Sequence, residues 1–186
     1  MKQKNLLLAF YGDDFTGSTD ALEFLTLAGV KTVLFLKNPE QNDLDKFPDI
    51  EAIGIAGKSR SMSPTDMEAE LFPVFNSLKK FRPQHVHYKV CSTFDSAPHV
   101  GNIGKAIEIG SEVFNQKTVM VSPAAPHLGR YCVFGNLFAR MGTFGNGEIY
   151  RIDRHPSMSN HPVTPATEAD WLSDLGKQTS KSIGLV

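Results

Sequence analysis

Five short runs rich in β-branched and aromatic residues, at 6–10, 32–36, 52–56, 85–90 and 118–122, alternate with segments whose apolar residues recur at helical spacing. Such switching between a strand pattern and a period of about 3.6 predicts strands separated by amphipathic helices. Parallel neighbours need a long return connection, so the alternation implies a parallel sheet with crossover helices. The first helix is expected over 17–28, with Ala21, Leu22, Leu25 and Ala28 toward the sheet and Gly29 ending it. Further helices fit 64–80 and 98–115; in the latter Val100, Ile103, Ile107 and Phe114 fall near one face, and Ser96 and Pro98 suit a start. After residue 122 the sequence becomes rich in Gly, Pro and Arg, and only short strands or hairpins fit, although its aromatics argue against disorder. A last helix over 167–179 leads to the start of another strand at 182–186. The expected fold class is α/β, one domain over 1–186 with a mainly parallel sheet and crossover helices, plus an irregular loop and hairpin region after residue 122.

Composition removes several functional classes. Hydrophobic residues at 41% and charged residues at 21% match an ordinary globular chain, which sets aside disordered and fibrous proteins. A formal net charge of -1 offers no overall basicity for nucleic acid or an anionic membrane, so a bound anion must meet local cations. The apolar run from Leu6 to Tyr11 is too short for a signal-peptide core and ends in two acids. No stretch approaches the roughly 18 apolar residues of a membrane span. A cytoplasmic location follows as the expectation, with neither nucleic acid nor membrane as partner. Cys91 and Cys132 make no CxxC or Cys/His cluster, so neither a disulfide nor a metal site is expected.

Ligands of open parallel sheets bind beyond the carboxyl ends of the strands, and polar clusters recur there. GDDFTGSTD places Asp13, Asp14 and Asp20, with Thr16, Ser18 and Thr19, where a strand turns into a helix. Carboxylates and free N–H groups of that kind suit a polyhydroxylated ligand with an anionic end, while capping alone would need only one of the acids. GKSRSMSP resembles the end of a phosphate-binding loop, but Ala52 stands where that motif needs glycine. What remains is Lys58 and Arg60 beside Ser59 and Ser61, suited to carboxylate or phosphate or simply a surface loop. The strand at 85–90 delivers Lys89, Ser92, Thr93 and Asp95, and lysine at the end of a buried strand wants an anion. Gly101 and Gly104 disfavour a helix unless another backbone or a ligand comes close. Arg130 is expected near the same edge, and Asp153, Arg154, His155, His161 and Thr164 occupy proline-stiffened loops that either line the site or hold themselves together.

Taken together, GDDFTGSTDAL, GKSRS, YKVCSTFDSAPHVGNIGKAIE, VSPAAPHLGRYCVFGNLFAR and DRHPSMSNHPVTPATEAD resemble the four-carbon acid sugar kinase family, which includes 3-oxo-tetronate, D-threonate and D-erythronate kinases. The blocks cover essentially the whole chain in the right order. The resemblance implies a two-domain ATP-dependent kinase whose N-terminal half binds the sugar acid and whose C-terminal half binds nucleotide. This chain is similar to the first half alone, with the nucleotide domain absent. ATP and Mg²⁺ would then belong to the full-length enzyme, with the ion held mainly by phosphates and at most one or two carboxylates from this chain. No cofactor is expected on this chain by itself, which should be inactive alone.

Transfer to a sugar-acid hydroxyl needs a grip on the carboxylate, partners for the hydroxyls and a group near the attacking oxygen. Lys58, Arg60 and Lys89 are the anion-gripping candidates, and Asp14 and Asp95 the catalytic ones. Asp13, Thr16, Ser59, Ser92, Thr93 and Arg130 complete the expected substrate-binding set. This reading requires Asp14, Arg60, Lys89 and Asp95 to meet at one rim. The alternative is a non-catalytic sugar-acid-binding or regulatory module. An aspartyl phosphatase would need DxD on the first strand, where Phe15 replaces the second acid. Oligomeric state stays open, a homo-oligomer included.

Overall fold

The computed structural model describes residues 6–142 and 147–185. Strands β1 (Leu8–Gly12), β2 (Thr32–Phe35), β3 (Ala52–Ala56) and β4 (His85–Lys89) form a parallel sheet in the order β2-β3-β1-β4. Leu8 lies opposite Ala52 and His85, and Gly12 opposite Ala56 and Lys89, so β1, β3 and β4 finish level with one another. The first strand runs two residues later than the apolar pattern alone suggests, although Leu6 is fully buried beside it.

Helix α1 (Phe15–Leu27) returns the chain from β1 to β2, and the short α2 (Gln41–Asp45) precedes β3. Helix α3 (Pro64–Lys80) connects β3 to β4, and α4 (Ile103–Phe114) packs beside it. Side chains alternate across a strand. Ala9, Tyr11, Ile53 and Ile55 therefore share one core with Met67, Leu71, Phe75 and Leu78 of α3 and Ala106, Ile109 and Val113 of α4. Lys79 Nζ ties the two helices by donating to the Val113 carbonyl at 2.5 Å. Helix α3 spans the residues expected for it because its start is written locally: Ser63 Oγ accepts from Asp66 N, and Pro64 takes the first turn.

Helix α1 begins at Phe15 rather than 17, since Asp14 supplies the cap. Its deeply buried residues are the small Gly17 and Ser18; Ala21, Leu22 and Leu25 are half-buried, and Ala28 is exposed rather than facing the sheet. Helix α4 starts at Ile103, five residues after the expected position. Residues 97–100 form a tight bridge, Gly101 adopts φ +58°, and Asn102 caps the helix by accepting from Lys105 N at 2.6 Å.

The expected strand at 118–122 does not form. Val119 and Met120 are exposed, and Val121 packs into a second cluster instead of pairing with β4. A β-rich run becomes a strand only when a neighbour supplies its hydrogen bonds.

The later region forms an antiparallel sheet of β5 (Arg130–Val133), β6 (Asn136–Arg140) and β7 (Ile149–Arg151). Phe134 and Gly135, both at positive φ, make the two-residue turn between β5 and β6 that matches strand twist. Helix α5 (Trp171–Leu175) is shorter than the expected 167–179: Asp170 caps its start, accepting from Leu172 N and Ser173 N, and it ends at Gly176. Residues 182–185 form no strand, and Val186 lies outside the described residues.

A second core of Phe94, Ile103, Leu137, Ala139, Ile152, Ala169, Trp171 and Leu175 fastens this sheet to the turn after β4. The Phe94 ring meets Trp171 edge-on at 4.8 Å. Gln178 adds polar stitching by accepting from Ile103 N at 2.9 Å and donating to Ser96 Oγ at 2.9 Å. No described helix is long and apolar enough to cross a membrane.

Candidate functional site

Level strand ends place three loops side by side, and the backbone of Asp13 binds them together. Asp13 N donates to the Lys89 carbonyl at 2.9 Å, while Arg60 N donates to the Asp13 carbonyl at 3.0 Å. The side chains converge in turn. Arg60 Nη1 lies 2.8 Å from Asp14 Oδ2 and 3.6 Å from Asp95 Oδ2, joining the loops after β1, β3 and β4. Asp14 Oδ1 meanwhile accepts from Gly17 N at 2.6 Å, so this carboxylate both caps α1 and aims the guanidinium. Asp95 is buried, and its Oδ1 accepts the Thr93 hydroxyl at 2.8 Å. Lys89 Nζ donates to the Val90 carbonyl at 2.8 Å and stands close enough to Gly17 that an added β-carbon there would lie 3.1 Å away.

Asp13 lies deepest. Its Oδ2 accepts from Cys91 N at 3.3 Å, and its Oδ1 is buried with no hydrogen-bond partner. Burial, reinforced by the Asp14 charge, pushes the Asp13 carboxyl up to about 7 against the pull of Cys91 N–H, Arg60 and Lys89. Burial likewise raises the Cys91 thiol, and Asp95 adds to the effect. Among the described residues both cysteines are free thiols.

Six of the expected residues therefore meet at one rim: Asp13, Asp14, Arg60, Lys89, Thr93 and Asp95. Ser92 is half-buried in the same turn, whereas Lys58 and Thr16 are exposed and make no ion pair or side-chain hydrogen bond with it among the described residues. Ser59 points away from the rim. Fully buried, its hydroxyl pairs with Tyr88 OH at 2.8 Å, and Tyr88 stacks on Tyr11 at 5.9 Å. That interior contact anchors the turn carrying Arg60. Strand alternation, which turns Tyr88 inward next to Lys89, was the available signal for it.

Arg130 does not join the cluster. Its Nη1 donates to carbonyls of Leu128, Gly129 and Arg140, holding the β5–β6 hairpin. The histidine loops hold themselves in the same way. His155 Nδ1 accepts from Ser157 N and Met158 N, His161 Nδ1 accepts from Thr164 N, and Asp153 pairs with Arg151. Thr164 also lines a cavity of about 30 Å³ under Thr93 and Asp95, which has room for about one water. Phe94, between those two residues, adopts φ +56° with its N–H donating to the Cys91 carbonyl at 2.9 Å and its ring packed on Trp171.

The fold is an α/β one with a charged cluster at the carboxyl edge of its parallel sheet, the side where such sheets receive ligands. The larger concavity near Thr26, Phe47 and Ile50 lies at the opposite edge, and its Lys31 is paired with Asp49. Comparison with known proteins agrees on the class. The chain belongs to the family of sugar-binding N-terminal domains, whose model matches residues 8–186. It is 50% identical over 181 residues to a 3-oxo-isoapionate kinase of Paraburkholderia graminis, covering 97% of this chain and 38% of that protein. It is 33% identical to a 3-oxo-tetronate kinase of Pseudomonas savastanoi pv. phaseolicola, covering 97% and 39% respectively. A crystal structure from Salmonella typhimurium LT2 superposes with a TM-score of 0.81 at 28% identity, over 95% of this chain and 39% of that one. The chain thus spans about two-fifths of the length of the curated relatives it matches.

Proposed function

We propose that this chain is the substrate-binding domain of an ATP-dependent kinase that phosphorylates a hydroxyl of a short oxo-sugar acid. The 3-oxo-isoapionate and 3-oxo-tetronate classes borne in the relatives' names are the leading substrates. The observation that carries the reading is Arg60, half-exposed at the rim with one nitrogen committed to Asp14 and Asp95. Oriented in that way, the guanidinium keeps further N–H groups for a ligand carboxylate, and Lys89 adds a second cation nearby. Thr93 and the acids around it suit sugar hydroxyls.

ATP and Mg²⁺ would be held by the part of such kinases that this chain does not span. Asp14 and Asp95 are engaged with a guanidinium, and the described residues contain no cluster of three or more metal-ligating side chains, so the rim does not fit a protein-held divalent ion. The ion's natural place is on the nucleotide phosphates.

Titration of a 3-oxo-tetronate, D-erythronate, D-threonate and the neutral polyol erythritol into the purified chain tests the reading. The acids should bind and raise the melting temperature, erythritol should not, and Arg60→Ala should weaken acid binding roughly tenfold to a hundredfold, the worth of a charge-assisted hydrogen bond. Equal responses to acids and polyol, or no effect of the substitution, would remove Arg60 as the carboxylate grip.

A further inference from the structure

The charges that surround Asp13 are unevenly matched: Asp13, Asp14 and Asp95 stand against Arg60 and Lys89. Their oxygens are also unequally used. Asp14 commits one oxygen to the α1 cap and the other to Arg60, and Asp95 commits one to Thr93 while the other faces Arg60. Asp13 differs, being 3% exposed with one oxygen bonded only to Cys91 N and the other buried without a donor. A buried carboxylate oxygen with nothing to accept is costly when charged. Protonation lowers that cost, since a neutral carboxyl is cheaper to bury than a carboxylate. With Asp13 neutral, two carboxylates balance two cations; with Asp13 ionised, one negative charge is left over to repel an arriving carboxylate.

Building on the sugar-acid reading, we infer that this rim binds its anionic ligand together with one proton, taken from solvent by Asp13. Every element packed around Asp13 contributes to the balance: Asp14 at the head of α1, Arg60 after β3, Tyr88 and Lys89 on β4, and Cys91 beyond it. Burial pushes the carboxyl up to about 7, so a change in nearby charge alters its protonation in the neutral range. An added anion raises it further, which is the direction that draws a proton in. By linkage, ligand affinity must then fall as pH rises above that value, by up to about tenfold per pH unit.

The test is calorimetric titration of D-erythronate into the chain at about pH 6 and about pH 8, each in two buffers of different ionisation enthalpy. At the lower pH Asp13 is already largely protonated and the heat should be nearly independent of buffer. At the higher pH the buffers should differ by an uptake approaching one proton per ligand, with affinity several-fold weaker. Asp13→Asn, which keeps an acceptor for Cys91 N–H, should abolish both the uptake and the pH dependence and bind at least as tightly at the higher pH. Buffer-independent heats in the wild type, or an unchanged pH slope in Asp13→Asn, would overturn the inference. The wild-type measurement decides the matter even if the variant does not fold. Acid binding without proton uptake would defeat this inference alone, whereas no binding of a 3-oxo-tetronate, erythronate or threonate at either pH would defeat the sugar-acid reading beneath it.

Discussion

Gly101→Ala should damage the fold and the rim together. Gly101 sits at φ +58° with the backbone of Arg60 directly against it: a β-carbon there would lie 2.5 Å from the Arg60 carbonyl oxygen and 3.2 Å from its carbon. Placing alanine in this left-handed conformation costs about 1–2 kcal/mol. Forcing a methyl group against packed backbone adds about 1–3 kcal/mol, because a carbonyl cannot rotate aside as a side chain can. A combined cost of about 3 kcal/mol lowers the melting temperature of a domain this size by about 6–12 °C. The displaced carbonyl belongs to the residue that presents the guanidinium, so sugar-acid affinity should fall with stability.

Gly110→Ala is the matched control. Its β-carbon would meet only the Phe75 ring at 3.7 Å, an ordinary contact inside α4. Relief of glycine's helix penalty, about 0.8–1 kcal/mol, should raise the melting temperature by a few degrees. Thermal unfolding followed by circular dichroism reads both variants on one scale. A Gly101→Ala protein melting within about 2 °C of wild type would refute the close-approach argument, since the strain would then have been relieved at almost no cost.

Asp14→Asn should keep the α1 cap and melt near the wild type while losing the charge that aims Arg60; Asp14→Ala should cost about 1 kcal/mol more in chemical denaturation. If the two variants were equally stable, the cap seen at Gly17 N would carry no energy. Ser59→Ala should destabilise by about 1–3 kcal/mol, because it strands the Tyr88 hydroxyl beneath the rim, and a denaturation midpoint equal to wild type would contradict this. Asp13 also shapes stability against pH: its carboxyl is raised in the folded state from 3.8 to about 7, so the folded chain holds this proton after the unfolded chain has released it. Stability from this group is whole below the unfolded value and is lost as pH rises through the folded one. The advantage of Asp13→Asn over wild type in urea unfolding should therefore grow between about pH 4 and about pH 7 and level off above, and a constant difference would disprove it.

The parts of the fold legible in the sequence are those whose causes are local. The bounds of β3 and α3 follow from an apolar run and from a Ser-Pro start that any neighbourhood would read alike. The loops bearing Asp13, Arg60, Lys89 and Asp95 were legible as strand-end clusters for the same reason. Where a neighbour had to decide, the sequence was silent. Residues 118–122 have strand-like side chains but no ladder partner, and α4 starts late because Gly101 must turn against Arg60.

By itself, then, the sequence determined which loops carry the polar residues and that they leave the carboxyl ends of parallel strands. Tertiary structure alone decided which of those groups face the rim: it turned Ser59 inward to Tyr88, folded Arg130 onto its own hairpin and buried Asp13 with an unpartnered oxygen. The physical reason is that a side chain's direction and charge state depend on the donors, acceptors and burial around it, and these come from segments distant along the chain.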